Sequence, residues 1–187
     1  MRIITGLYKG RHFDIPRTFK ARPTTDFAKE NIFNVLNGYL DFEGATALDL
    51  FSGTGSIALE MLSRGCRQVI SVEQDRDHHA FIVQCLKKLG IGAYATASAS
   101  QSCLPLRADA FRFIKSCHTQ FNLIFADPPY TLKELPEIPA LIFEQQMLKP
   151  GGSFVFEHSK NQSFTDSPYF KEHRSYGSVN FTLFSCP

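Results

Sequence analysis

Between residues 45 and 157 the chain alternates strand-like and helix-like stretches, and that alternation leaves few folds open. The apolar run Ala45 to Phe51 reads as a buried strand and ends in the tight loop Ser52-Gly53-Thr54-Gly55. A helix to about Arg64 follows, with Ile57, Met61 and Leu62 facing inward and Gly65 as its stop. Gln68 to Glu73 is a second strand, and Arg76 to about Leu89 a helix expected to bury Ala80, Ile82, Val83 and Leu86. Gly90 to Ser102 is small and polar and reads as a loop or insertion. Cys103 to Arg107 is the weakest strand candidate, because Pro105 demotes it or places it near an edge. Asp109 can cap a short helix to about Cys117, and Phe121 to Ala126 is a fourth strand. A helix ending near Leu148 comes next, delayed in its start by Pro136 and Pro139. Lys149 to Gly152 is a turn and Phe154 to Glu157 a fifth strand. Such alternation predicts a parallel sheet with helices on both faces and ligands at the carboxyl ends of the strands.

The flanks add smaller pieces. Residues 2–6 and 10–15 form a hairpin pattern, and Pro16 to Pro23 is a basic connector. Thr24 or Thr25 can cap a helix from Asp26 to Asn37 that buries Ala28, Ile32, Val35 and Leu36. Tyr169 to Ser175 and Val179 to Ser185 read as a closing hairpin, antiparallel at one sheet edge. The expected organisation is an α/β domain over residues 41–187 with a basic extension over residues 1–40.

Charge is unevenly spread. Residues 1–29 hold seven basic side chains (Arg2, Lys9, Arg11, Arg17, Lys20, Arg22, Lys29) against Asp14 and Asp26, so this stretch carries +5 and the remainder −3. A basic arm on a near-neutral body suits phosphates, although a solvated basic surface gives the same numbers. Five scattered cysteines with no C-x-x-C pair argue for reduced thiols and against a disulfide framework or a zinc site. The histidines show no ligand spacing, so no metal is expected. Apolar runs are only strand-sized and Met1 to Gly6 lacks the apolar stretch of a secretory signal, so a cytoplasmic protein with no membrane partner is expected, as a monomer.

Two constellations carry chemistry. The first is the glycine loop, Gly53-x-Gly55-x-x-Ala58, between a strand and a helix. Asp49, four residues before Gly53, would repel a pyrophosphate there but welcome a cation. Glu73, twenty residues past Gly53, stands where an acid accepts from ribose hydroxyls. Asp109, after the third strand, can accept from an adenine amine. Together these acids suit a nucleoside with a cationic tail, such as S-adenosylmethionine.

The second constellation is Asp127-Pro128-Pro129-Tyr130 at the end of the fourth strand. It is a clamp for a flat molecule bearing an amine. Asp127 accepts from the amine, the two prolines stiffen the backbone and offer only carbonyl acceptors, and Tyr130 supplies a ring face for stacking. An exocyclic base amine is a poor nucleophile, because its lone pair is delocalised into the ring. Fixed acceptors on its hydrogens favour attack on a methyl carbon by stabilising the positive charge that develops. A base inside a stack must first leave it.

Leu48-Asp49-Leu50-Phe51-Ser52-Gly53-Thr54-Gly55 with Asp127-Pro128-Pro129-Tyr130 resembles the motifs of amino-group nucleic acid methyltransferases. Arg2-Ile3-Ile4-Thr5-Gly6, Lys9-Gly10-Arg11 and above all Arg22-Pro23-Thr24-Thr25-Asp26 with Glu30-Asn31-Ile32-Phe33-Asn34 narrow the resemblance to the bacterial small-subunit ribosomal RNA guanine-N2 methyltransferases. The resemblance spans nearly the whole chain, departing at Ala93 to Leu106, which is longer and richer in Ala and Ser. It implies a Rossmann-like methyltransferase fold, an S-adenosylmethionine cofactor, and ribosomal RNA or a small-subunit assembly particle as partner. The cofactor contacts it implies fall on Phe51, Ser52, Gly53, Thr54 and Gly55, with Glu73 on the ribose, and the clamp on Asp127, Pro128 and Tyr130. RNA contacts are expected from Lys9, Arg11, Arg22 and Thr24, and Glu157 matches a further acid of the family. The alternatives are an adenine-N6 methyltransferase, which shares the clamp, a nicotinamide-dependent dehydrogenase, which Asp49 disfavours, and a non-catalytic nucleic-acid-binding module.

Overall fold

The computed structural model describes residues 1–19, 24–92 and 100–187. Connector residues 20–23, which include Arg22, and the Ala/Ser stretch 93–99 lie outside the described residues. The elements are α1 (Asp26–Leu36), β1 (Thr46–Leu50), α2 (Ser56–Ser63), β2 (Gln68–Glu73), α3 (Arg76–Leu89), β3 (Ser102–Arg107), α4 (Ala110–Ser116), β4 (Phe121–Ala126), α5 (Ile138–Glu144), β5 (Leu148–His158), β6 (Phe170–Tyr176) and β7 (Val179–Ser185). The sheet runs β3-β2-β1-β4-β5-β7-β6, with β1 to β5 parallel and β7 antiparallel to both its neighbours. This is the expected Rossmann-like architecture, with β1 and β4 side by side at its centre.

The two faces of the sheet bury separate clusters. One joins α1, α2 and α3 through Ile32, Phe33, Leu59, Met61 and Phe81, and also takes in Ile3 and Phe13 of the N-terminal hairpin. The other packs Ala110 and Ile114 of α4 and Ile138 and Ile142 of α5 against Leu48, Ile124 and Phe154. The described part of residues 1–36 therefore shares a core with the sheet.

Three expectations needed correction. First, α3 buries Phe81, Ile82, Cys85 and Leu86, whereas Ala80 is exposed and Val83 is 42% exposed. Its apolar stripe is rotated by one position, because bulky Phe81 wins the core place over Ala80. Second, α5 stops at Glu144 and β5 begins at Leu148, so the expected turn at Lys149 to Gly152 is an irregularity inside a longer strand. Gly151, at φ 73°, absorbs the bend without breaking the pairing. Third, Lys29 is not part of a basic surface. It is 1% exposed and donates to Arg2 O at 2.6 Å and Ser56 Oγ at 2.9 Å. Burial pulls its pKa down, while the charges of Glu60 and Asp26 oppose that. β3 is the edge strand on its side, consistent with Pro105 within it.

Candidate active site

The tips of β1 and β4 adjoin, and each carries one constellation. Phe51 has φ 60°, Gly53 φ 53° and Gly55 φ 76°, so the chain turns sharply from β1 into α2. At Gly55 a Cβ would lie 2.9 Å from Ile82 Cγ1, so this glycine lets α3 pack closely. At Gly53 the nearest atom to a Cβ would be Phe51 O at 4.0 Å, so the turn faces open space. Ser52 is pinned beneath: its Oγ donates to Asp49 O at 2.8 Å and accepts from Ser71 Oγ at 2.8 Å.

Asp49 is 2% exposed and accepts from Ala58 N, in the first turn of α2, at 3.0 Å. Burial pushes its pKa up to about 7, with a smaller contribution from the charge of Glu73, against the opposing pull of its hydrogen bonds. Glu73 closes the turn from β2, accepting from Gly53 N at 2.7 Å and Asp75 N at 2.7 Å. Asp109 is the N-cap of α4 and accepts from Arg112 N at 2.9 Å, beside the tip of β3. Phe51 meets Phe111 of α4 edge to face, at 6.2 Å between centroids. An open glycine turn, a buried acid and an acceptor-only carboxylate fit a cationic nucleoside.

Across from this turn, Asp127 N donates to Leu50 O at 3.4 Å, tying the second constellation to the end of β1. Pro128 is buried, Pro129 is exposed, and Tyr130 is 46% exposed. The Thr24 hydroxyl lies near the Asp127 carboxylate and pulls its proton affinity down slightly, so the residues ahead of α1 reach the site from the side. Tyr130 Oη donates to Glu157 Oε1 at 2.8 Å, and the pairing of Ala126 with Phe156 sets Glu157 beside Asp127 on the neighbouring strand. Burial, then the charges of Glu157 and Asp49, push Asp127 well above the usual carboxylate range. Burial raises Glu157 too, and burial, then the charge of Glu157, raises the Tyr130 phenol.

The structure thus brings together Asp49, Phe51 to Gly55, Glu73, Thr24 and Asp127 to Tyr130. It does not bring Lys9 and Arg11 to them. Leu7 N donates to Ser63 O in the last turn of α2, and Arg11 Nη2 donates to Lys88 O in the last turn of α3. Both helices run back from the strand tips, so the hairpin tip sits at the opposite end of the sheet. Glu157 had no role derivable from its own position in the sequence. The usable signal was an acid ending the apolar run Phe154 to Phe156 on the strand next to the clamp. Among the described residues no group of three or more His, Cys, Asp or Glu is arranged to hold a metal ion, and no helix is long and apolar enough to cross a membrane.

Sheet order, glycine turn and amine clamp together define a Rossmann-like methyltransferase of the S-adenosylmethionine-dependent class. The chain belongs to the family described as "Conserved hypothetical protein 95", which matches residues 1–185. YlbH of Bacillus subtilis is 38% identical over 160 residues, covering 86% of this chain and 83% of its own length. Ribosomal RNA small subunit methyltransferase D of Haemophilus influenzae is 30% identical over 164 residues, covering 87% of this chain and 80% of its own. Among solved structures, the Escherichia coli protein yhhF superposes with a TM-score of 0.81 at 27% identity, covering 100% of this chain and 97% of that one.

Proposed function

We propose that the chain transfers a methyl group from S-adenosylmethionine to the exocyclic N2 amine of a guanine in small-subunit ribosomal RNA. One observation carries the reading: the amine clamp and the cation-suited glycine turn stand on neighbouring strand tips, joined by the Asp127 N to Leu50 O bond. The name of the Haemophilus influenzae relative supports ribosomal RNA as substrate.

S-adenosylmethionine, when bound, supplies the electrophilic methyl. Asp49 offers its carboxylate to the cationic tail, Glu73 accepts from the ribose, Asp109 from the adenine amine, and the Gly53 turn leaves space for the main body. Asp127 and the Pro128 carbonyl accept the two amine hydrogens and stabilise the charge that grows on nitrogen during transfer. Asp127, with its raised proton affinity, then takes the proton that the methylated nitrogen releases. Tyr130 presents its exposed ring for stacking. Residues 1–40 serve as the RNA-binding extension, in which Thr24 touches the target site, Lys9 and Arg11 meet phosphates at the far end of the sheet, and Arg22 adds positive charge.

The decisive experiment is incubation with radiolabelled S-adenosylmethionine and unmodified ribosomal RNA or small-subunit particles, then digestion to nucleosides. Label in N2-methylguanosine is the expected result. Label in N6-methyladenosine would replace this reading with its rival, and no label in either substrate would overturn it.

Asp49 adds a pH dependence. Its carboxylate attracts a cation only when ionised, and its pKa is about 7. Affinity for S-adenosylmethionine is therefore expected to rise by up to about tenfold per pH unit below that value and to flatten above it. Asp49→Asn should bind weakly, with a shallower pH profile. Calorimetric titrations at several pH values check this, and a wild-type affinity independent of pH would take Asp49 out of the cation's surroundings.

A further inference from the structure

We propose that Glu157 reads the N1–H of the target guanine, so that Asp127 and Glu157 offer two acceptors side by side to the adjacent N1–H and N2–H donors. The inference rests on the guanine reading given above and names the residue that sets its specificity.

Register places the two acids together. Ala126 of β4 pairs with Phe156 of β5, so the next residues, Asp127 and Glu157, leave neighbouring parallel strands side by side. Glu157 is 6% exposed, and its two oxygens differ. Oε1 receives the Tyr130 hydroxyl at 2.8 Å, whereas Oε2 is buried and has no hydrogen-bond donor among the described residues. A buried carboxylate oxygen without a donor is costly, and it lies beside the very clamp that receives the amine. Tyr130 fixes which oxygen is free, because its hydroxyl occupies the other.

The chemistry of the base completes the argument. The Watson–Crick edge of guanine presents N1–H and N2–H as neighbouring donors. Adenine presents its amine beside N1, which is an acceptor. Two carboxylates match the first pattern, and in the second one of them faces a lone pair. Sites built to hydrogen-bond a donor reject analogues that lack it far more strongly than apolar pockets reject a change of shape.

The test uses the full chain and substrate RNA in which the labelled guanine is replaced by 2-aminopurine, which keeps the 2-amine and has a bare N1. Wild type is expected to prefer guanine by about 100-fold in kcat/KM. In Glu157→Gln the carboxamide can donate to a bare N1, so the preference should fall to within about fivefold. Because 2-aminopurine also lacks the 6-oxo group, the change in preference between the two proteins is the decisive quantity. An equal loss on both substrates, leaving the preference intact, would overturn the proposal. Folding of the variant is checked by circular dichroism and by S-adenosylmethionine affinity. Should it not fold, Glu157→Asp, which withdraws the carboxylate by one methylene, is expected to slow guanine transfer selectively, and an unchanged preference there would overturn the proposal equally. If wild type places no label in guanine, the guanine reading itself fails. If guanine is labelled and neither variant alters the preference, only the role of Glu157 fails.

Discussion

Replacing Asp127 by alanine is expected to lower kcat by about 100- to 1,000-fold while leaving affinity for S-adenosylmethionine within about threefold of wild type. The variant removes an acceptor whose value appears only as charge develops on the attacking nitrogen, so the loss belongs in kcat. It also removes a like charge from beside Glu157, which offsets the loss of the Thr24 contact, so the melting temperature should change little. Single-turnover transfer with labelled cofactor and calorimetric binding make the comparison. Undiminished turnover would detach the clamp from the chemistry. Loss of cofactor affinity in the same proportion would make Asp127 a residue of the cofactor site.

The second large effect concerns the fold. Glu60 is fully buried in α2 and accepts from Ile4 N at 2.8 Å, Thr5 N at 3.1 Å and Arg64 Nε at 2.9 Å. Its charge also acts on buried Lys29. Glu60→Ala would leave two amides without an acceptor and the buried Arg64 side chain without its counter-ion, and would remove a favourable charge from the surroundings of Lys29. Breaking such a cluster costs about 3–5 kcal/mol, a fall in Tm on the order of 10 °C for a chain of this size. Denaturant unfolding measures it directly. A loss below about 1 kcal/mol would mean that the hairpin is not held through this carboxylate.

Where the sequence carried explicit punctuation, it was legible. Asp75 caps α3, which ends at Leu89 with Gly90 in the left-handed C-cap, and the expected boundaries of β2 and α3 are those observed. Asp109 caps α4 as expected, accepting from Arg112 N. Helix α2 shows why periodicity alone falls short: every residue from Ser56 to Ser63 is buried, so there is no polar face from which to read a stripe. Both motif loops could be placed on strand tips, because each follows an apolar run that can only be a central strand. What could not be read was tertiary. Lys29 looks like any helix-surface lysine until Ser56 meets it from another helix, within the field of Glu60. Lys9 and Arg11 add to the same positive count as Arg2, yet the hairpin carries them to the far end of the sheet. Glu157 became a partner of the clamp only through the pairing of β4 with β5.

The docking of the first residues onto Glu60 and Ser63 has a consequence for the order of assembly on the ribosome. Ile4 N and Glu60 are separated by 56 positions, and Tyr8 N and Ser63 by 55. Residues 4–8 therefore leave the ribosome before their acceptors in α2 do. Until α2 emerges, the amides of Ile4, Thr5 and Tyr8 have no side-chain acceptor, and Ile3 and Phe13 lack the part of their apolar cover that α2 supplies.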